Sequence, residues 1–573
     1  SIPVWAPRVP WHARSHGEAV QTEPDAIGSK SFSPRGSTPP SPMATSSASE
    51  LEQWLVNHPN DAKAWITLGN LRQEQHRQED ALDCYQKAVT ADPTSIPARR
   101  NLGYLQFNLG LPEAAAETYD ELQKQDASPL NQLLAASVLP IVYDSIDHLT
   151  YWRSRQTAAL QQLSNQGVRV DASRQPVPTA FYWPYQGQND VDIMRTRGLI
   201  LRGDERPFVK TVPDHSASRI RIGFLSAYLK DHTIGRLNIG RVEQLDRRQF
   251  HVTVCLAGTD DDALTKRFAA AADQFVRIPR APQPAAELLR SLKLDILLFC
   301  DVGMDALCSG LAWSRFAPVQ CVTWGHPETT GSPTMDYFLS SALLDVPDAQ
   351  SHYAEQLIRM LLLGTWYERP AAPAFSPGQR TVPGLPAHGR IYACPQSLFK
   401  FHPEFDSILQ QVLEQDRDGT LIGIAARNDA WNTRLLDRWK NVMPHVCDRI
   451  RLLPAMSNPM FLQLLAESDV VLDPLHFGGG NSSYEAFACG TPVVTLPGSF
   501  LRSRITAALY QRMGLETLIA ADNDDYVRRA LEWAGNPTRQ AEVRQQIQQS
   551  SAILFENADE VRCLEATLRQ LMN

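Results

Sequence analysis

The sequence predicts an α-helical repeat segment followed by two α/β lobes, each a doubly wound parallel sheet. Three observations predict it. Small and apolar residues recur one 34-residue period apart in the first third of the chain, as Pro59 and Pro93 do. From about residue 218 onward, short β-branched runs alternate with helical stretches in two successive series. Between the series, "ERPAAPAFSPGQRTVPGLPAHG" is rich in Pro and Gly and reads as a linker. The boundaries read from these patterns are a tail at 1–49, repeats at 50–163, a connecting segment at 164–217, a first lobe at 218–368, the linker at 369–388, and a second lobe with a closing helix at 389–573.

A chain of 573 residues is too long for one core, which fits several domains. The net charge of −8 argues against a nucleic acid as main partner. Nine scattered cysteines without a C-x-x-C suggest neither a disulfide framework nor a zinc site, and fit a reducing, cytoplasmic setting. The longest uncharged apolar stretch, "LLAASVLPIVY", is far short of a bilayer span, so no membrane partner is expected. The first fifty residues carry Pro39, Pro40 and Pro42 among many Ser, Gly and Thr without apolar periodicity and read as a tail. "MATSSASELEQWL", from Met43, reads as a natural start, which makes residues 1–42 an extension.

In the repeats, Trp65, Leu68, Gly69, Ala81, Tyr85, Ala88 and Pro93 fall where a tetratricopeptide repeat wants W, L, G, A, F, A and P. Gly69 and Ala81 let two antiparallel helices approach, Trp65 and Tyr85 fill the space, and Pro93 stops the second helix. Leu102, Gly103, Ala115 and Tyr119 repeat the pattern one period on, "ELEQWLVNHPND" supplies the last helix of an incomplete repeat, and residues 130–163 read as a degenerate third repeat. Such an array offers a concave surface to a protein or peptide.

The first lobe's strands are expected at 219–227, 250–258, 294–300 and 319–325, and the second lobe's at 389–396, 420–427, 449–455, 469–475 and 491–498. Ligands of such sheets sit beyond the strands' carboxyl ends. There, "HFGGGNSSYEAF" sets three glycines between a strand and a helix, where backbone amides and the helix dipole favour an anion. It is neither a P-loop nor a dinucleotide fingerprint. Ser482-x-x-Glu485 reads either as a capping box or as a carboxylate for a ribose diol. Lys400 lies just past the first strand of the second lobe and His232 just past the first strand of the first, each either a surface or structural residue or a group aimed into the cleft. No D-x-D follows a strand in a metal-binding position, so no metal is expected.

The combination of "RIRIGFLSAYLKDH", "FAPVQCVTWGHPETTGSPTMDY", "CPQSLFKFHPEF", "RIRLLPA" and "VVLDPLHFGGGNSSYEAFACGTPVVTLPG" with helical repeats resembles the O-linked N-acetylglucosamine transferase family, which joins tetratricopeptide repeats to a two-lobed, Rossmann-like GT-B glycosyltransferase. The resemblance covers about residues 50–573 and is nearest to bacterial members, because the chain has only its Pro-rich linker where eukaryotic enzymes carry a large insertion between the lobes. It implies transfer of N-acetylglucosamine from UDP-GlcNAc to Ser or Thr of proteins, with inversion and without a metal or other cofactor. Lys400 would neutralise the pyrophosphate beside the amides around Gly479, Gly480, Asn481 and Ser482. Glu485 would hold the ribose, the Met456 backbone the uracil edge, and Phe461 could stack on the base. His232 matches a histidine on the sugar and acceptor side and is the first candidate to assist deprotonation. His326, Pro327 and Thr330 would line the sugar pocket. Asn458 and Phe461 replace a lysine and a histidine of the eukaryotic enzymes, and Gly480-Asn481-Ser482 replaces His-Thr-Thr, changes that bear on donor affinity and on which sugar is transferred. The alternatives are a related transferase using another nucleotide sugar or an Asn acceptor, or, since only about three repeats remain, a repeat scaffold with a vestigial fold.

Overall fold

The computed structural model describes residues 47–201, 219–373 and 378–572, so the expected tail and the start at Met43 fall outside it up to residue 46. Ser47 already belongs to the first helix: its side chain accepts from the Glu50 amide while the Glu50 carboxylate accepts from the Ser47 amide. Tertiary contacts divide the chain into two compact units, one closing at Asn131 and the other opening at Gln132.

The repeat unit contains helices Ala48–Asn57, Ala62–Glu74, Gln78–Ala91, Ile96–Asn108 and Pro112–Gln125. The glycine rule read from the sequence has a direct steric basis. A Cβ on Gly69 would stand 2.6 Å from the Tyr85 ring, and one on Gly103 would stand 2.8 Å from the Tyr119 ring, the same contact one period later. Trp65 differs from expectation. It is only partly buried, donates its indole N–H to the Pro59 carbonyl at 2.8 Å and lies under the Lys87 ammonium, so Leu51, Leu55, Leu68 and Cys84 fill the core instead. Gly69→Ala is expected to cost the repeat unit about 1–3 kcal/mol through overpacking, against a helix-propensity gain of about 1 kcal/mol. Denaturant unfolding of the repeat unit within the full chain checks this, and an unchanged midpoint contradicts it.

The third repeat expected at 130–163 does not form a helical hairpin of the same kind. Helix Pro129–Ala136 has only eight residues, a non-helical stretch rich in buried side chains follows, and the 20-residue helix Ile146–Asn165 packs on helix Val191–Leu201 of the second unit. The apolar run "LLAASVLPIVY" stays helical only through Ala136, and its remainder around Pro140 is buried, non-helical chain.

In the second unit, one sheet holds β1 (Ile220–Ser226), β2 (Phe250–Leu256), β3 (Gln274–Arg277), β4 (Ile296–Phe299), β5 (Val319–Thr323), β6 (Tyr337–Ser341) and β7 (Gln356–Met360). The other holds β8 (Arg390–Ala393), β9 (Gly419–Ile424), β10 (Ile450–Leu453), β11 (Val470–Leu472) and β12 (Val493–Val494). The orders are β3-β2-β1-β4-β5-β6-β7 and β10-β9-β8-β11-β12, and every pairing is parallel. All nine expected strands are present, with β3, β6 and β7 in addition. Strand order reverses between β1 and β4 and between β8 and β11, so each sheet has a switch point where outgoing loops diverge and leave a crevice. His232 follows β1, while Lys400 and the glycine loop follow β8 and β11.

Asn536 caps helix Pro537–Ser550 as its Asn-Pro pair predicts. The closing helix Ala558–Gln570 packs on the first lobe, where Glu560 accepts from the Gly364 amide at 2.8 Å and Glu565 from the Asp246 amide at 2.7 Å. Among the described residues, no helix is long and apolar enough to cross a membrane.

Candidate active site

The second lobe's switch point is built around Lys400. It ends the short turn Leu398–Lys400, and its ammonium donates to the Gly478 carbonyl and the Gln396 side chain, both at 2.8 Å. Gln396 in turn donates to the Ser482 hydroxyl at 2.7 Å, so the end of β8 is tied to the loop after β11 at two points. The ammonium also lies 4.9 Å from the centre of the Phe477 ring. Burial pulls the Lys400 pKa down to about 8, against the opposing pull of Asp473.

The glycine loop divides its amides between structure and opening. Gly478 donates to the Arg502 carbonyl at 2.9 Å and Gly479 to the Asp473 carboxylate at 2.6 Å. The Gly479 amide, expected to bind phosphate, is therefore committed to holding the loop. A Cβ on Gly479 would meet the Ser483 hydroxyl at 2.4 Å, which explains glycine there. The amides of Gly480, Asn481 and Ser482 have no protein acceptor among the described residues. They sit at the N-cap and first two positions of helix Asn481–Ala488, where unsatisfied N–H groups and the dipole attract an anion.

The capping box is overturned. The cap is Gly480 without a side-chain bond, so Ser482 and Glu485 fall inside the helix. Glu485 is 2% exposed and accepts from Asn458 at 2.8 Å and from Arg236 of the first lobe at 3.2 Å. Burial raises its pKa to about 7, with Arg236 first among the groups pulling it back. Beside it, Tyr367 stacks on Tyr484 at 4.3 Å and donates its hydroxyl to the Asn481 side chain. Met456 lies partly exposed after β10. Phe461 is instead 2% exposed among the apolar residues of helix Asn458–Glu467, which leaves little of its ring open to a base.

On the first lobe, His232 caps helix Thr233–Gln244: its Nδ1 accepts from the Ile234 amide at 3.2 Å, and its ring stacks on Tyr228 at 4.6 Å. An amide can only donate, so Nδ1 carries the lone pair and the neutral ring carries its proton on Nε2. That geometry suits a hydrogen-bond donor. Acting as a base at Nε2 would require the other tautomer, which gives up the cap. His326 stacks on Phe181 at 5.0 Å, burial lowers its pKa to about 3, and its Nε2 is buried with no protein hydrogen-bond partner among the described residues. It lines a small cavity with Thr330, Gly303, Trp313 and Arg197. Thr330 gives both its amide and its hydroxyl to Glu355. Pro327 lines a separate cleft beside Arg502.

The description "glycosyl transferase family 41" belongs to a family model that matches residues 199–365 and 448–563. The chain belongs to glycosyl transferase family 41. A tetratricopeptide-repeat model matches residues 62–95. Among relatives, the tomato (Solanum lycopersicum) protein described as a probable UDP-N-acetylglucosamine–peptide N-acetylglucosaminyltransferase SPINDLY is 25% identical over 387 residues, 64% of this chain and 41% of that protein. The UDP-glucose:protein N-beta-glucosyltransferase of Actinobacillus pleuropneumoniae is 24% identical over 254 residues, 44% of this chain and 40% of that one. The chain thus spans about two fifths of the length of these curated relatives. The structure of a Thermobaculum terrenum O-GlcNAc transferase mutant matches with a TM-score of 0.71 at 21% identity, covering 92% of this chain and 93% of that one, which shows the shared fold.

His232, His326, Pro327, Thr330, Met456, Phe461 and the loop from Gly479 to Glu485 fall inside the segments matched to family 41, whereas Lys400 lies between them. Sequence reading missed the residues that join the lobes. Arg502, 4% exposed, donates to Glu328 and to the Pro184 carbonyl, both at 2.8 Å, and to the Gln188 carbonyl at 2.5 Å, and stands 3.4 Å from Asp190. Tyr185, from the segment treated as a connector, stacks on Phe477 at 4.4 Å and meets Phe399 edge-on at 4.6 Å, forming an aromatic wall beside Lys400. The cluster "FYWPY" was the available signal, since four aromatics in five residues seldom serve a mere connection.

Proposed function

We propose that the chain is an inverting glycosyltransferase that moves N-acetylglucosamine from UDP-GlcNAc to Ser or Thr hydroxyls of proteins or peptides engaged by the repeats. The observation that supports this most is the convergence of Lys400 with the Gly480, Asn481 and Ser482 amides at one switch point, three residues before a buried carboxylate. Breaking an anomeric C–O bond leaves extra negative charge on the UDP pyrophosphate. A fixed ammonium and oriented amides in a partly desolvated crevice stabilise that charge as it develops. This supply of positive charge is why the transfer needs no metal at the pyrophosphate.

Glu485 accepts from the ribose diol and the Met456 backbone meets the uracil edge. His326 supplies an unpartnered nitrogen to the sugar side, with Thr330 shaping the wall, while Pro327 turns to the neighbouring cleft beside Arg502. His232 donates through Nε2 to the sugar or phosphate, and the acceptor proton leaves to a donor phosphate oxygen or water.

The Glu485 assignment carries a pH prediction. A ribose diol that donates to this carboxylate favours its ionised form, so binding releases a proton while the free group is protonated. UDP affinity is expected to rise, by up to about tenfold per pH unit, as pH climbs towards about 7 and to level off above it. Arg236, Tyr367 and Cys489 face the group and hold their charge states over this range. Glu485→Gln should flatten this component, which separates it from titration of the UDP phosphate. Equal slopes in parent and Gln variant would rule it out.

A second reading keeps the transferase and changes sugar or acceptor, favoured by the likeness to the Actinobacillus glucosyltransferase. Mass spectrometry of acceptor proteins incubated with a panel of UDP-sugars decides between them. N-acetylhexosamine on Ser or Thr supports the first reading, and hexose on Asn supports the second. UDP-sugar binding without transfer to any acceptor contradicts both.

A further inference from the structure

We infer that His402, Glu404 and His476 form a binding site for a divalent transition-metal ion of the zinc type, which clips the glycine loop to the end of β8. One ligand atom from each of the three lies within 4.8 Å of the others. His476 Nε2 stands 2.7 Å and His402 Nδ1 3.9 Å from Glu404 Oε2, and the imidazole centres are 4.2 Å apart. In a tetrahedral zinc site, ligand atoms about 2.0–2.1 Å from the ion are roughly 3.3 Å from one another. His402 Nδ1 also accepts from the Glu404 amide at 3.3 Å, a long bond that an ion at Nδ1 would replace, and the exposed Glu404 carboxylate would turn from His476 Nε2 to share the ion with it.

Two imidazoles and one carboxylate are a borderline donor set that suits zinc over magnesium or calcium, and they leave a fourth position for water. The surroundings orient both rings. The Gln186 backbone hydrogen-bonds the His402 ring, and the backbone of Gly187, at φ +70°, lies so close to His476 that a Cβ would stand 2.5 Å from its Nδ1. Residues 186 and 187 thus hold the two histidines from one side.

The three ligands come from the segments that follow β8 and β11, which Lys400 also joins. A bound ion would fix His476, and with it the adjoining Phe477 that covers the Lys400 ammonium. Its role is positional. The inference does not rest on the proposed transferase activity, because its test contains neither UDP nor acceptor.

The experiment is calorimetric titration of the chelator-stripped full chain with Zn²⁺, repeated with Co²⁺ to read the visible absorption of a tetrahedral ion. One equivalent is expected to bind the parent and to raise its Tm by linkage. His476→Ala and, separately, Glu404→Gln should weaken binding at least tenfold and remove the Tm rise, while His445→Ala, at an exposed site elsewhere, should change neither. Both ligand variants are surface-accessible, and their Tm without metal checks folding. Absence of stoichiometric binding to the parent, or binding unchanged in both variants, overturns the site.

Discussion

Replacing Lys400 with alanine is expected to lower kcat for glycosyl transfer by about 10²–10³-fold, with a smaller change in KM. The ammonium is held at 2.8 Å by the Gly478 carbonyl and Gln396, at the carboxyl end of β8 beside three helix-terminal amides. In the proposed transfer its charge acts most where negative charge grows, on the leaving pyrophosphate, so the transition state would gain more than the bound donor does. Pre-organisation adds to this, because the cation already sits in a partly desolvated crevice that lowers its pKa to about 8. Lys400→Ala also removes the tie to the glycine loop. Gln396→Ala cuts the parallel tie to Ser482 without removing the charge, and is expected to cost far less in kcat. Equal losses in the two variants would mean that Lys400 acts by holding the loop.

Arg502→Ala is expected to destabilise the two-lobed unit by about 3–5 kcal/mol, read as a fall in Tm. The guanidinium is 4% exposed and satisfies Glu328 of the first lobe, Asp190 and the carbonyls of Pro184 and Gln188. Asp190 retains Arg153 at 2.5 Å. Among the described residues Glu328 has no such second cation, and burial already pushes its pKa well above the usual carboxylate range. Truncation leaves it buried with the Thr329 amide and Asp190 but no cation, so an ionised carboxylate there must take up a proton or open the lobes to water. Arg502→Lys should recover little, since one ammonium cannot reach four acceptors in divergent directions. Combining Arg502→Met with Glu328→Gln should recover a measurable part of the loss, because the uncompensated charge is gone. A double variant no more stable than Arg502→Ala would place the cost in the lost carbonyl bonds.

The parts of this molecule legible in its sequence are those whose physics is local. Runs such as "LDILLFC" and "DVVLDPL" are strands buried on both faces, and their continuous apolar character marks them directly. The edge strands β3 and β7 carry Gln, Arg and partly exposed positions and gave no such run, while five-residue β6 is hidden in "DYFLSS". Gly69 and Gly103 could be read because their partners, Tyr85 and Tyr119, lie one helix away at fixed spacing. The capping box failed by position: Ser482 has the right neighbour at Glu485, but the helix begins at Asn481, and nothing local separates the two registers. Arg502 and the aromatic wall were invisible for a different reason. Arg502 meets Pro184 and Asp190 more than 300 positions away in sequence, and only the assembled lobes bring them together. Likewise, the place of His232 after β1 leaves acid, base, donor and structural roles open, because the cap that fixes its tautomer depends on the atom-level turn.

The central claim is that Lys400, the Gly480–Ser482 amides and Glu485 form one cradle for a uridine diphosphate. Calorimetric titration of the full chain with UDP tests it most directly, in the parent and in the Lys400→Ala and Glu485→Ala variants. The account predicts one site in the parent and affinity lowered at least tenfold in each variant, with unaltered stoichiometry. Parental affinity in both variants would contradict it.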